Sequence, residues 1–176
     1  TSLDAFFFFL RQNAWTWEHQ ALVRARVVAG SNALASKFDA IRGEMLCRER
    51  DPQALRDDVV SMRHKMRDHL GSKGQGSKGT ASKGQPGSAD GEVFSLKHDV
   101  GGMVDIEFLC QYAVLSLAHD TPALITYSDN IRILETLAKS GHITESEAEQ
   151  LREAYLAYRS RTHRAALTGE KTVVDA

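Results

Sequence analysis

The stretch GGMVDIEFLCQYAVLSLAH, residues 101–119, is very apolar and decides the fold of the chain. The glycine pair breaks the preceding segment, and the residues after it predict one helix over residues 103–119. Asp105 and Glu107 are the only acids in this stretch. On a helix, two residues that are two positions apart point about 200° away from each other, so these two would not share a metal ion. In an extended turn they would lie on one face.

Clear helix signals stand on both sides of this stretch. Asp51-Pro52 combines a capping acid with a proline at the first helical position. The helix that it opens has an apolar stripe formed by Leu55, Val59, Met62, Met66 and Leu70. Downstream, Thr144 and Glu147 form a capping box that opens a long helix through Leu167.

Weaker signals predict the remaining helices. They are Leu3 to Arg11, a helix capped by Asn13 that stops at Gly30, one that starts at Ser31, one that starts near Pro122, and Asp129 to Ser140 before Gly141. Residues 94–97 predict a short extended segment, and no run of alternating residues predicts a sheet. We therefore expect an all-α bundle of about six to eight helices, formed by residues 1–176 as a single domain.

Residues 71–91 differ from the rest of the chain in composition. They repeat Gly-Ser-Lys-Gly with small variations about every five residues, and they offer almost nothing to bury. This composition predicts a long, flexible, disordered loop.

Composition excludes several classes of function. The chain has 22 Lys and Arg against 23 Asp and Glu, which argues against a general affinity for polyanions. Residues 56–83 hold seven Lys or Arg against three Asp, but no aromatic residue lies among them. A solvated helix face is therefore favoured over a nucleic-acid site. The apolar run of residues 6–10 is too short for a signal core or a membrane span, so we expect no membrane partner.

The cysteines and the chain ends bear on where the protein works. Cys47 and Cys110 are far apart and form no metal-binding pattern, which is typical of reduced cysteines in a cytoplasmic protein. The sequence starts at Thr1 without Met, and we expect it to be a fragment of a longer polypeptide.

Two segments could carry chemistry. In residues 97–108, KHDVGGMVDIEF, a glycine pair at a helix start would leave N–H groups free for a phosphate or carboxylate, and Lys97 would add a positive charge. The alternative is structural: first-turn acids favour the helix dipole, and the glycines permit tight packing. In residues 14–26, AWTWEHQALVRAR, Arg24 and Arg26 suit phosphate or carboxylate, or the helix is simply packed by its tryptophans.

The motifs of several enzyme classes are missing. The seven histidines form no zinc spacing, and the sequence contains no P-loop, Rossmann fingerprint or serine nucleophile elbow. We therefore predict no catalytic residue and no metal ligand in this chain.

Three runs together carry a family resemblance. Residues 14–28, residues 97–111 and the run YSDNIRILE at 127–135 resemble the bifunctional glutamine synthetase adenylyltransferase/adenylyl-removing enzymes. Within that family the chain is similar to the helical domain that directly follows the catalytic domain of the adenylylating, C-terminal half. The repeat at residues 71–91 looks like a departure from a shorter family loop, so no functional role is assigned to it.

The resemblance implies a reaction for the full-length enzyme. A polymerase-β-like nucleotidyltransferase domain would use ATP and Mg²⁺ to place AMP on a tyrosine of glutamine synthetase, and the other half would remove AMP by phosphorolysis. Glutamine and the PII signalling protein would regulate both reactions. The metal-binding acids would lie upstream of Thr1, so the fragment alone is expected to be inactive and to bind neither cofactor tightly. Its expected partners are the upstream nucleotidyltransferase domain, glutamine synthetase and PII.

The resemblance also gives the candidate residues a setting. Residues 97–107 would face the catalytic cleft, where Lys97 and the amides of Gly101 and Gly102 would contact phosphates or the substrate loop. Asp105 or Glu107 would orient a basic group or a metal-bound water. Arg24 and Arg26 would form a second patch. Two alternatives stay open: a purely structural role between domains, and a helical module that docks glutamine synthetase or PII.

Overall fold

The computed structural model describes residues 2–71, 93–169 and 173–175. This part of the chain contains seven α-helices and one 3₁₀ turn, which confirms the predicted all-α bundle. The helices are α1 (Leu3–Gln12), α2 (Thr16–Arg24), α3 (Asn32–Leu46), α4 (Pro52–Leu70), α5 (Met103–Leu117), α6 (Asn130–Lys139) and α7 (Glu145–Thr168), and the 3₁₀ turn spans Pro122–Ile125. The flexible loop predicted for residues 71–91 lies outside the described residues, except for Gly71, which is buried at the end of α4.

A short two-stranded ribbon joins distant parts of the chain. Strand β1 (Val93–Ser95) pairs antiparallel with β2 (Val173–Asp175), with Phe94 opposite Val174. The extended segment predicted near residue 94 is thus confirmed in part, whereas its pairing partner was not predicted. Three-residue strands are too short for an alternating pattern to identify them.

Helix α5 is the central element. It packs against α2, α4, α6, α7 and the 3₁₀ turn. Cys110, Val114 and Leu115 on this helix are almost completely buried. The very apolar composition of residues 103–117 follows from this position, because neighbouring helices cover the helix on several sides. None of the helices in the described ranges is both long and apolar enough to cross a lipid bilayer.

Most predicted helix starts are confirmed by side-chain caps. Ser31, Asp51 and Asp129 each accept a hydrogen bond from the backbone N–H three residues later. Thr144 and Glu147 form the expected capping box at the start of α7. Each cap satisfies an N–H group that has no partner within its helix.

The predicted boundaries of the second helix are wrong. Asn13 ends α1 instead of starting α2, since its N–H donates to the Phe9 carbonyl. Helix α2 begins at Thr16, where the Glu18 carboxylate accepts from the Trp15 N–H at 2.7 Å. It ends at Arg24, well before Gly30.

Two arginines outside α2, the buried Arg42 and the partly buried Arg50, donate to carbonyl groups at helix ends. The Arg42 guanidinium donates to the carbonyls of Leu22 and Val23 at 3.2 and 2.9 Å, which satisfies carbonyls at the end of α2. Arg50 donates to the Met45 carbonyl at 2.6 Å and to the Leu115 carbonyl at 3.1 Å, and so fastens α3 to α5. Burial lowers the pKa of Arg50 to about 10.

The apolar stripe of α4 needs a correction. Leu55 and Val59 are buried as predicted, but the next buried position is Arg63. Met62 and Met66 are only partly buried, and Leu70 is 43% exposed. The stripe therefore continues at a spacing of four residues, and a charged residue occupies its third position.

Candidate functional site

The turn before α5 is fastened to α4 by an ion pair. The buried Arg63 donates from Nε to Asp105 Oδ1, and from Nη2 to the carbonyls of His98 and Asp99 at 2.8 and 3.3 Å. The second Asp105 oxygen accepts from the Gly101 N–H at 2.6 Å. We call Arg63, Asp105 and Gly101 the Arg63 cluster. Its hydrogen bonds join residues 98–105 to α4.

The glycine pair makes this turn possible. Gly101 has a φ of +84°, a backbone conformation that favours glycine. The Gly102 N–H donates to the Asp99 carbonyl at 3.0 Å, and a Cβ on Gly102 would lie 2.9 Å from the Leu96 carbonyl oxygen. Both N–H groups are thus engaged inside the turn, and neither is free for a phosphate in this structure.

Lys97 and His98 share the turn but differ in environment. Lys97 is exposed, and its ammonium group has no ion-pair partner among the described residues. Its backbone takes part in the turn, since its carbonyl accepts from the Val104 N–H at 3.1 Å. His98 is half-buried, and burial, followed by the charges of Lys97 and Arg63, lowers its pKa. The turn therefore presents one exposed positive charge on a hydrogen-bonded backbone.

Glu107 lies on the opposite side of α5. Its carboxylate accepts a hydrogen bond from the Tyr155 hydroxyl at 3.2 Å and lies 3.8 Å from Arg24 Nη1. Arg24 also donates to Asn130 Oδ1 at 3.1 Å. We call these four residues the Glu107 cluster. Asp105 and Glu107 therefore contact different helices, as expected for residues that diverge on one helix.

The two arginines of the second predicted patch differ in their surroundings. Arg24 closes α2 and belongs to the Glu107 cluster. Arg26 lies in the non-helical stretch after α2 and is exposed. The structure thus brings Arg24 together with Glu107, whereas Lys97, Gly101, Gly102 and Asp105 belong to the turn on the other face of α5.

Sequence reasoning missed Arg63, Tyr155 and Asn130 as partners of the predicted residues. The sequence did contain a signal for Arg63. It is a basic residue four positions after Val59 on the stripe of α4, and α5 offers only two acids that could pair with it.

Asn130 is 1% exposed, and its Nδ2 has no partner among the described atoms. Across the described ranges, no three His, Cys, Asp or Glu side chains are grouped so that they could hold a metal ion.

Comparison with known protein families gives two partial matches. Residues 1–41 match the family model of the glutamate-ammonia ligase adenylyltransferases. Residues 83–172 match the family model of the GlnD PII-uridylyltransferases.

Individual relatives match the chain along nearly its whole length. A bifunctional glutamine synthetase adenylyltransferase/adenylyl-removing enzyme of Pseudomonas aeruginosa is 52% identical over 99% of the chain. Enzymes of the same name from Pseudomonas putida and Acinetobacter baylyi are 47% and 44% identical over 100% of the chain. The chain spans only 17 to 18% of the length of these three relatives.

Proposed function

Because this chain belongs to the family of the bifunctional glutamine synthetase adenylyltransferase/adenylyl-removing enzymes, we propose that it is a non-catalytic helical part of such an enzyme. The complete enzyme would transfer AMP from ATP to a tyrosine of glutamine synthetase and remove it by phosphorolysis in its other half. The observation that carries the proposal is the 44 to 52% identity over nearly the whole chain. The relatives are about six times longer than this chain, which leaves room for a separate catalytic domain in the remainder.

The second family match supports a link to nucleotidyl transfer. It covers residues 83–172, which include the turn before α5, and it is named for enzymes that uridylylate PII. A helical part that resembles two classes of nucleotidyltransferase is well suited to assist a step common to both. We propose that it completes a cleft whose catalytic groups stand on a neighbouring domain.

Within this proposal, the turn at residues 97–105 faces the cleft. A backbone held by several hydrogen bonds and carrying one exposed ammonium group can bind a phosphate or an acidic loop with a reduced loss of conformational entropy. Lys97 would make that contact. The glycine amides would act by shaping the turn, since both donate within it. Asp105 would orient a basic group, which is Arg63 of its own chain.

The nucleotide and the metal ion are assigned to the remainder of the enzyme. Holding Mg²⁺ requires several oxygen ligands at one point. Asp105 and Glu107, the acids of the candidate segment, contact different helices and cannot supply such a set together. ATP and Mg²⁺ therefore enter the proposal through the catalytic domain, and no described residue is given the role of a ligand.

The test uses transfer of labelled AMP from ATP to purified glutamine synthetase. In the full-length enzyme, we expect Lys97→Ala to reduce transfer about tenfold or more without unfolding the protein. Lys65→Ala is the matched control, because Lys65 is also exposed and lies on the neighbouring helix α4. Unchanged transfer by Lys97→Ala would rule out a cleft contact for this residue. The isolated chain should transfer no AMP, and transfer by the chain alone would reveal a catalytic site within it.

A second candidate function is a module that docks glutamine synthetase or PII. Exposed aromatic residues at one end of the chain favour it, since Phe8, Trp15 and Trp17 are 63, 72 and 48% exposed. The two functions differ in what a substitution removes. Trp15→Ala should weaken binding to the partner if this surface docks it. A cleft-completing domain instead loses turnover on Lys97→Ala while its binding is kept.

A further inference from the structure

A groove of about 500 Å³ runs between α4 and α5, beside the Arg63 cluster. Its floor includes Val59, and its walls include Phe108 and Tyr112. Two aliphatic side chains of its lining are exposed, since Val60 on α4 is 43% and Leu109 on α5 is 41% exposed. Each helix thus contributes exposed apolar surface to the groove, which a bound segment would remove from water.

The charges around the groove are unbalanced. Arg56 and His64 on α4 line it and are exposed, and Arg56 has no ion-pair partner among the described residues. Among the described residues, Asp105 is the single acid in its lining, and it is paired with Arg63. The neighbouring acids Asp57 and Asp58 are not part of the lining; they accept from Gln53 Nε2 at 2.9 Å and from the Thr16 hydroxyl at 2.5 Å. An occupant that carries negative charge would therefore complement the groove.

The length of the relatives indicates where such an occupant comes from. They extend over about six times the length of this chain, so most of the polypeptide in an enzyme of this family lies outside the described helices. The groove is formed by two roughly eight-residue stretches of helix, and about eight residues of helix extend roughly 12 Å, or two turns. Two turns of an added helix would cover both exposed rims at once.

We infer that the groove between α4 and α5 binds an amphipathic segment with acidic residues, contributed by the remainder of the same polypeptide. Its apolar side chains contact Val60, Phe108 and Leu109, and a carboxylate pairs with Arg56. The recognition is of the helix-in-groove type, in which apolar anchors supply the affinity and rim charges fix the orientation. The inference rests on the proposed function only in taking the chain as one part of a longer enzyme, and it is independent of any contact made by Lys97.

Thiol labelling of the full-length enzyme tests this inference. Leu109→Cys places a thiol in the groove, and Leu156→Cys places one on α7 at nearly the same exposure, 38% against 41%. Each is labelled with a maleimide, quantified by peptide mass spectrometry and normalised to its own rate in denaturant. We expect the thiol at position 109 to react about tenfold more slowly than the thiol at position 156, because a covered site reacts only when the interface opens. Val60→Cys is a second groove position and should be protected similarly.

Reversing the charge of Arg56 tests whether the segment bound in the groove is acidic. Arg56→Glu should raise the labelling rate of the thiol at position 109 about tenfold, whereas Arg159→Glu, an exposed change on α7, should leave it unchanged. Equal normalised rates at positions 109 and 156 overturn the inference. Protection that is lost on dilution also overturns the inference, because it indicates that a second copy of the protein covers the groove. Protection that survives Arg56→Glu overturns it as well. None of these measurements uses AMP transfer, so the groove and the proposed function can fail separately.

Discussion

Replacing Arg63 by alanine should destabilise the chain more than any exposed substitution on the same helix. The side chain of Arg63 is 10% exposed and that of Asp105 is 33% exposed. Removing one partner of a buried ion pair costs about 3–5 kcal/mol, because the other charge stays buried without compensation. Water reaches part of Asp105, so the lower end applies, and we expect a loss of about 3 kcal/mol. For a chain of this length the melting temperature should fall by about 6–12 °C.

The assay is equilibrium urea unfolding of residues 1–176, followed by circular dichroism. Arg56→Ala is the control, since Arg56 lies on the same helix but is exposed, and its cost should stay within about 0.5 kcal/mol. Asp105→Ala and the double variant complete a thermodynamic cycle, in which we expect a coupling energy of about 1–2 kcal/mol. The urea dependence of the free energy should stay unchanged. Equal stabilities of Arg63→Ala and Arg56→Ala would refute the structural role of the pair.

Three further predictions use simpler readouts. Gly102→Ala should cost about 2 kcal/mol, because its Cβ would meet carbonyl oxygens at 2.9 and 3.0 Å. At Gly101 a Cβ would meet open space, but the φ is +84°, so Gly101→Ala should cost only about 1 kcal/mol. Equal losses of stability for the two variants in urea unfolding would contradict this order. Burial raises the pKa of both thiols, that of Cys110 to about 12, but Cys47 is partly exposed whereas Cys110 is buried. Ellman's reagent at pH 8 should therefore modify Cys47 slowly in the native chain and Cys110 only after unfolding. Burial lowers the pKa of His19 below 6.5, so the unfolded chain takes up the proton first and this contribution to stability declines as the pH falls through 6.5. His19→Gln should flatten that part of the stability curve, and an unchanged curve would contradict the assignment.

The helices could be predicted where a signal was local. A capping side chain such as Ser31 or Asp51 acts within three residues, so the sequence alone identifies it. The end of α2 is not local, because it depends on Arg42, which lies about twenty residues further along the chain and donates to carbonyls at that end. The pairing of β1 with β2 likewise depends on a contact between segments about eighty residues apart.

The candidate site shows the same division between local and distant causes. Two alternatives were open for Asp105 and Glu107; the structure places both on α5, where they diverge because of helix geometry alone. Which helix each acid would meet depended on packing. The pattern at a helix start led us to expect free glycine amides, but both N–H groups donate within the turn, to the Asp99 carbonyl and the Asp105 carboxylate. Hydrogen-bond competition within a turn cannot be read from the order of residues.

The position of α5 between the two clusters limits what the candidate segment can do. Lys97 belongs to the turn that the Arg63 cluster fixes, whereas Glu107 faces α2 and α7 through Arg24 and Tyr155. One cleft cannot receive both sides of a central helix unless its partners move away. A cleft that Lys97 faces therefore leaves Glu107 inside the bundle, where its carboxylate aligns neighbouring helices. An effect of Glu107 on AMP transfer would then act through the packing of α2 and α7, and would be accompanied by a change in stability that Lys97→Ala does not cause.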